Sequence, residues 1–452
     1  MKYYIAAFLS FRDRSSNQGI AHSMYRHGFV IVPCFFALIL GFNAAIAMQL
    51  LTAIRILPVD IVLCGSLLLF LLLGRRKIAL PVTNTIHPHD IKVADLLERE
   101  VVPLDATEAF TVLKGQVILV TGAAGSIGSE LCRQLLGYEP RLLIALDTNE
   151  TGLFDLVEGL RSRAQPHIAN LYPYIGDITD VQRMARLFAE HRPHLVFHAA
   201  AYKHVPLLEQ YPDLAIRTNT LATYHLCRLA QQYEVARFVF ISTDKAAEPI
   251  SVMGASKRMG ELIVQSFAQS AHGMTRFCAV RFGNVIGSRG SVVPLFVQQI
   301  AQGGPLTVTD PEATRYFMTI PEACGLVILT CAISEQGELY LLDMGKPVRI
   351  IDLAENMIRQ CGLRVGQDIS IVYTGLRPGE RLHETLVAAD EVLTPTTNSK
   401  IFCVSQKEKL PSLLLIAQWL ATLEQSLQQE NEIELREHLF RIIREQRLIV
   451  TG

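Results

Sequence analysis

The sequence predicts a doubly wound parallel α/β sheet with a smaller C-terminal lobe, preceded by an N-terminal helical hairpin in a membrane. Three observations predict it. Short apolar runs alternate with helical stretches through the middle of the chain. A glycine-rich turn lies between the first such run and the helix after it. The excess hydrophobicity is confined to the front. Alternating βα units with strands buried on both faces are the mark of this sheet.

The chain has 452 residues, half of them hydrophobic, a mean hydropathy of +0.27 and a formal charge of -1. That balance gives no sign of a nucleic-acid partner. Nine cysteines are scattered, none with C-x-x-C spacing, so no metal site is expected and the thiols read as buried and reduced. Gly28 to Ile54 is a 27-residue stretch with no charge, longer than the ~20 residues needed to cross a bilayer. Ile61 to Gly74 is a second uncharged run of 14 residues. Arg12, Arg14 and Arg26 precede the pair, Arg75, Arg76 and Lys77 follow it, and only Arg55 lies between. The positive-inside rule then puts both ends in the cytoplasm. Residues 1–80 are thus expected to be a membrane anchor of one or two helices, with the rest of the chain on the cytoplasmic side. Residues 81–115 are a linker and lead-in helix, 116–400 the catalytic domain, and 401–452 a helical tail for packing or for a homo-oligomer.

The strands follow in order. "QVILV" (116–120) comes first, then "RLLIALD" (141–147), a third before "GDITD", "HLVFHAA" (194–200), "RFVFIST" (237–243) and "FCAVRFG" (277–283). From Ser291 onward the pattern is expected to loosen into a substrate-capping lobe. Ligands of such sheets bind at the carboxyl ends of the strands, and the polar residues cluster there. Gly122, Gly125 and Gly128, with Ser126 and Ile127 between them, have the spacing that brings a helix N-terminus onto a pyrophosphate. Asp147 ends the second strand, 25 residues beyond Gly122, where a carboxylate favours NAD over NADP; helix capping is its rival reading. Asp177 and Ile178 follow the third strand at a place for adenine; a helix N-cap at Asp177 or Asp180 is the rival reading. Ala199 and Ala200 let backbone approach a nucleotide. Lys203 and His204 could face substrate, His204 equally a structural loop residue.

The fifth strand ends in Thr243, Asp244 and Lys245, and Lys257 lies about three helical turns further on. A simple dehydrogenase would carry tyrosine four residues before that lysine; here the position is Met253. A carboxyl and an amine side by side suit a reaction that both gives and takes protons, such as loss of water. Asn284 and Arg289, then Arg315, then Arg377 and Glu380 beside Arg381, offer groups for a sugar and a diphosphate.

"TGAAGSIGSE", "HAAAYKHVPLLE", "STDKAAEPISVMGASKR", "RFGNVIGSRGSV" and "TGLRPGERLHE" together resemble the CapD-like polysaccharide biosynthesis proteins, over about residues 91–386. These are membrane-bound extended short-chain dehydrogenases with a Rossmann-like core, and characterised members are UDP-N-acetylglucosamine 4,6-dehydratases. The methionine belongs to the likeness, since the long branch has "MGASK". The resemblance implies NAD as cofactor, a UDP-N-acetylhexosamine as substrate and a role in surface-glycan synthesis. It implies that hydride leaves sugar C4 for NAD, Lys245 removes the C5 proton, Asp244 protonates the departing C6 hydroxyl, and the hydride returns to C6. Thr243 would hold the C4 oxygen; Lys257, a water or a ribose hydroxyl would relay its proton. Long members also carry four membrane helices and an extra domain ahead of the catalytic one. Only sixteen residues, Arg75 to Asp90, stand in that place here, so the extra domain is expected to be absent. Two other readings share these residues: a UDP-sugar 4-epimerase, and an inactive NAD-binding scaffold at the membrane.

Overall fold

The computed structural model describes residues 107–270, 275–406 and 409–448. The expected membrane anchor and most of the lead-in lie outside them. Among the described residues no helix is long and apolar enough to cross a membrane.

Six parallel strands and the helices between them build the first half. The strands are β1 (Val117–Thr121), β2 (Leu142–Asp147), β3 (Leu171–Ile175), β4 (Leu195–His198), β5 (Arg237–Ile241) and β6 (Arg276–Arg281). The helices between them are α1 (Ser126–Leu136), α2 (Glu150–Ser162), α3 (Val181–His191), α4 (Ala222–Gln232) and α5 (Val252–Ser270). Every residue of β1 is buried, as a central strand covered on both faces requires. It pairs in parallel with β2 on one side (Val117 with Leu142) and with β4 on the other (Ile118 with Leu195). The chain order thus reverses at β1, which opens a crevice above its carboxyl end.

The sequence expectation of a loosened lobe from Ser291 onward holds only in part. A lobe does form, with β7 (Asn284–Ile286), α6 (Val292–Ala301), β8 (Leu306–Val308), β9 (Thr314–Arg315) and β10 (Phe317–Thr319). It has its own small core around Phe296, Leu306 and Met357. Then the chain returns to the main sheet. Helix α7 (Ile320–Ile333) packs against α1, and β11 (Leu339–Leu342) extends the sheet in parallel beside β6. The strand is four residues of continuous apolar sequence and the helix is apolar on all sides, so neither carries a periodic signal. The lobe is completed by β12 (Val348–Arg349), α8 (Ile350–Gln360) and β13 (Ile371–Tyr373).

Two antiparallel strands, β14 (Glu391–Pro395) and β15 (Ile401–Gln406), close the far edge. The described sheet therefore runs β14-β15-β11-β6-β5-β4-β1-β2-β3. Residues 401–406, assigned from sequence to the tail, belong to this sheet. The tail proper is α9 (Leu413–Gln428) and α10 (Glu432–Leu448), which pack on α5. With the sheet on one side and these helices on the other, every residue of α5 from Val252 to Ala268 is buried.

Candidate active site

The glycine turn comes first, because it shapes the crevice. Gly122 has φ +71°, and a Cβ there would lie 2.7 Å from the Ala200 backbone. A Cβ on Gly128 would lie 2.0 Å from the Gly122 carbonyl oxygen. Neither position tolerates a side chain, so the turn is tight and α1 approaches β1 closely. The turn also starts α1 at Ser126, directly after Gly125. The free N–H groups of that helix point at the crevice.

Asp147 stands across from the turn. Its Oδ2 accepts from the Ala124 N–H at 2.9 Å and its Oδ1 from the Asn149 N–H at 2.9 Å. The next helix is capped by Asn149, not by Asp147, which removes the capping role from Asp147. Likewise Asp180 caps α3, while the Asp177 carboxylate accepts the Thr179 N–H at 2.8 Å in its own turn. Gly122, Gly125, Asp147, Asp177, Ile178, Ala199 and Ala200 line one open cleft. Ser126 and Ile127 are half-buried on the first turn of α1. A cradle that admits no Cβ, a helix N-terminus and a carboxylate beyond it fit a dinucleotide. A buried chain holds the floor: Ala200 N–H donates to Thr121 Oγ1 at 3.2 Å, Thr121 meets His198 at 2.8 Å, and His198 meets Thr223 at 3.0 Å. Burial, and then the Lys257 charge, push His198 down to about 3. Among the described residues no cluster could hold a metal.

The second half of the site follows β5. Thr243 is extended and caps a single helical turn, Asp244–Ala246. Asp244 is buried and its Oδ1 accepts from both Thr243 Oγ1 (2.8 Å) and Lys245 Nζ (2.9 Å). Its Oδ2 has no hydrogen-bond partner. Gly283 makes room for it: a Cβ there would lie 3.2 Å from Oδ2. Lys245 also reaches Asn284 Oδ1 at 3.4 Å and Glu384 Oε1 at 3.3 Å. Burial alone would lower the Lys245 pKa, but Asp244 and Glu384 more than reverse it and hold the ammonium above its ordinary value, with Arg315 opposing. Lys257 differs. Its ammonium sits 4.2 Å from the centre of the Phe240 ring, and burial brings it down to about 7. Met253 is buried in the apolar core.

The expected substrate residues divide. Lys203 donates to the Arg289 carbonyl at 2.9 Å, and burial lowers its pKa. His204 lies against Gly290; burial, Lys203 and Arg377 lower its pKa. Arg377 is exposed and chelated by Glu380. Two arginines have neighbours other than those expected. Arg289 joins the cofactor side: its guanidinium donates to the Ala124 carbonyl at 3.1 Å and its N–H to Ser126 Oγ at 3.0 Å. Arg315 donates to the carbonyls of Thr314, Leu382 and Arg381, so it ties the lobe together instead of offering a bare fork to a phosphate.

Sequence reasoning missed Glu384, Gly283 and Asn219. Asn219 sits in a π-helical turn, Ile216–Leu221, a local widening common at functional sites. It exchanges two 3.0 Å hydrogen bonds with the Tyr202 backbone and donates a third, at 3.0 Å, to Ser256. No periodicity marks such a turn. Glu384 had a signal, the acid after "RPGER", but nothing local to say which cation it meets.

The family model of polysaccharide biosynthesis proteins matches residues 118–406. The capsular polysaccharide biosynthesis protein CapD of Staphylococcus aureus is 47% identical over 312 residues, 69% of this chain and 52% of that one. The chain spans about half the length of the curated relatives it matches. Among solved structures, Pen from Bacillus thuringiensis is 33% identical, with a TM-score of 0.60 over 67% of this chain and 90% of that one. DesIV, a dTDP-glucose 4,6-dehydratase from Streptomyces venezuelae solved with NAD and TYD bound, is 25% identical, with a TM-score of 0.52 over 60% and 88%. With a match that runs from β1 to the antiparallel edge of the sheet, the chain belongs to the family of CapD-like polysaccharide biosynthesis proteins.

Proposed function

We propose that the chain is a NAD-dependent nucleotide-sugar 4,6-dehydratase that converts a UDP-N-acetylhexosamine, UDP-N-acetylglucosamine first among them, to its 4-keto-6-deoxy form. The observation that carries this reading is the Asp244–Lys245 pair at the end of β5, hydrogen-bonded at 2.9 Å and with one carboxylate oxygen left without a partner. An unpartnered buried acceptor is costly and calls for a reason; a substrate hydroxyl supplies one.

Bound NAD would supply a hydride acceptor at sugar C4 and a hydride donor at C6. Gly122, Gly125, Ser126 and the α1 N-terminus would hold its diphosphate, and Asp147 its adenosine ribose. The rest is proton traffic by this chain. Asp244 and Lys245 share one proton, which rests on the amine. Its transfer across the 2.9 Å hydrogen bond creates a free amine and a carboxylic acid together. The amine takes the C5 proton, made acidic by the neighbouring ketone. The acid gives its proton to the C6 hydroxyl, which leaves as water. Elimination leaves ammonium beside carboxylate; as the hydride adds at C6 the Lys245 ammonium protonates C5, and the proton released from the C4 hydroxyl restores the pair. Thr243 positions the C4 oxygen, and Lys257, with a pKa of about 7, is poised to relay its proton. Asn284, Lys203, His204, Arg377 and Glu380 would line the sugar and nucleotide.

The apolar front and its basic flanks support an anchor at residues 1–80 that holds this unit at the cytoplasmic face of a bacterial inner membrane. Retention of the full chain in membranes after carbonate washing checks that part.

The full chain, incubated with NAD and UDP-N-acetylglucosamine in D₂O, should yield a 4-keto-6-deoxy sugar with deuterium at C5. A C4 epimer that keeps its C5 proton would replace this reading with an epimerase. Unchanged sugar across a panel of UDP-hexosamines, with NAD bound, would leave only a scaffold.

A further inference from the structure

We infer that Glu384 is a positioning residue for this centre, a second carboxylate that anchors the Lys245 ammonium from the C-terminal lobe. The inference rests on the reading of Lys245 as the base. Glu384 Oε1 lies 3.3 Å from Lys245 Nζ and 3.6 Å from Arg315 Nε. Its side chain is 5% exposed, against 20% for Lys245. This is no loose surface contact, because the backbone that carries Glu384 is fixed on both sides of the cleft. The Thr314 N–H donates to the Leu382 carbonyl at 3.1 Å, and Thr314 Oγ1 meets His383 Nδ1 at 2.9 Å. Arg315 holds the Leu382 and Arg381 carbonyls at 3.0 and 2.8 Å. Arg381 in turn donates to the Glu248 carbonyl, just past the catalytic turn.

The consequence is electrostatic. The charged groups that face Lys245 are Asp244 from its own turn, Glu384 from the lobe and Arg315 from β9. Asp244 must accept the lysine proton during turnover, so it cannot also be the fixed anchor of that ammonium. Glu384 can, since no step uses it. It raises the proton affinity of the pair, and so sets the pH at which the pair holds the single proton that the reaction needs. Loss of its charge lowers both limbs: the second proton is bound only at lower pH, and the last one leaves at lower pH.

The test uses the full chain with Glu384→Gln and Glu384→Asp beside the wild type. The Lys245 midpoint is read directly, by competitive acetic anhydride labelling over pH and mass spectrometry of the Lys245 peptide. Glu384→Gln should lower that midpoint by about one unit and move both limbs of the kcat profile the same way. Glu384→Asp keeps the charge at longer reach and should lower it by less. Equal midpoints in all three folded chains, judged by NAD binding, would overturn the inference, as would a fall in kcat with both limbs unmoved, which is what a purely structural role gives. A lowered midpoint in a chain that makes no 4-keto-6-deoxy sugar would sink the reaction assigned above and leave the coupling of Glu384 to Lys245 standing.

Discussion

Two four-charge networks lie within a few residues of each other, and they behave in opposite ways. The first is Arg258, Glu261, Arg281 and Glu391, with side chains 6%, 0%, 0% and 1% exposed. The second is Asp244, Lys245, Glu384 and Arg315, at 0%, 20%, 5% and 13%. Each alternates two acids with two bases. Ser242, at the end of β5, donates to Glu261 in the first at 2.6 Å. Asp244, two residues on, heads the second. In the sealed network Arg281 grips Glu261 with Nε and Nη2 at 2.6 and 2.7 Å and Glu391 with Nη1 at 2.9 and 2.7 Å. It binds α5, β6 and β14 into one block beneath the site. In the open one Asp244 keeps an oxygen without a partner. The difference teaches that charge count alone does not single out the pair proposed for the chemistry; the two networks part at the Asp244 oxygen left without a hydrogen-bond partner.

If that distinction is right, the two networks should fail differently. Arg281→Met leaves two buried carboxylates to share Arg258 alone. Removing one partner of such a network costs about 3–5 kcal/mol, and denaturant unfolding should show a loss of that size or no folded chain at all. Lys245→Ala should do the reverse. Turnover should drop by about 10²–10⁴-fold, while NAD binding stays close to wild type and stability falls by less than in Arg281→Met, because Lys245 is the more exposed cation. A Lys245→Ala chain as unstable as Arg281→Met would erase the line between the networks.

A subtler break uses the space behind Asp244. Gly283→Ala puts a methyl 3.2 Å from Asp244 Oδ2, Met344 Cε and Tyr316 Cβ. The Met344 methyl and the carboxylate are the two that can give, and any tilt of the carboxylate takes it off Lys245. We expect kcat to fall about tenfold or more, in line with the sensitivity of catalysis to displacements near 1 Å, and stability by about 1 kcal/mol. Full activity would mean that the Asp244 position is less constrained than the packing implies.

The sequence exposed the open network only in part. Thr243, Asp244 and Lys245 were legible because they are contiguous and follow an apolar run that can only be a strand. The glycine turn, Asp147 and Asp177 were legible for the same reason, each sitting at the end of a strand. Glu384 was not, because its partner lies far off in sequence and only the folded lobe joins them. The sealed network was wholly hidden: Arg281 and Glu391 are 110 residues apart, and a charge inside an apolar strand reads as an exception. Arg289 and Arg315 show what sequence leaves out: one Arg289 donor meets the Ala124 carbonyl, and Arg315 in β9 holds the Leu382 and Arg381 carbonyls, contacts that no local pattern announces.

The smallest effect separates Lys257 from both networks, since it is a buried base without a full ion pair. Burial holds it at about 7, against 10.5 for an ordinary lysine. Between those values the unfolded chain binds a proton that the native chain does not. Raising the pH through that window therefore stabilises the fold, by up to about 1.4 kcal/mol per unit from this one group. His198 titrates well below the window, because its native value is near 3 and its unfolded value near 6.5. The buried cysteines act against the trend only above about pH 9, where unfolded thiols ionise. Lys203, also lowered by burial, adds to the trend in both chains and cancels in a difference. The stability of wild type minus that of Lys257→Met, measured in urea from pH 7 to 9, should therefore rise with pH. A flat difference would mean that Lys257 stays charged in the native state, and the relay assigned to it would then pass to a water or to a ribose hydroxyl.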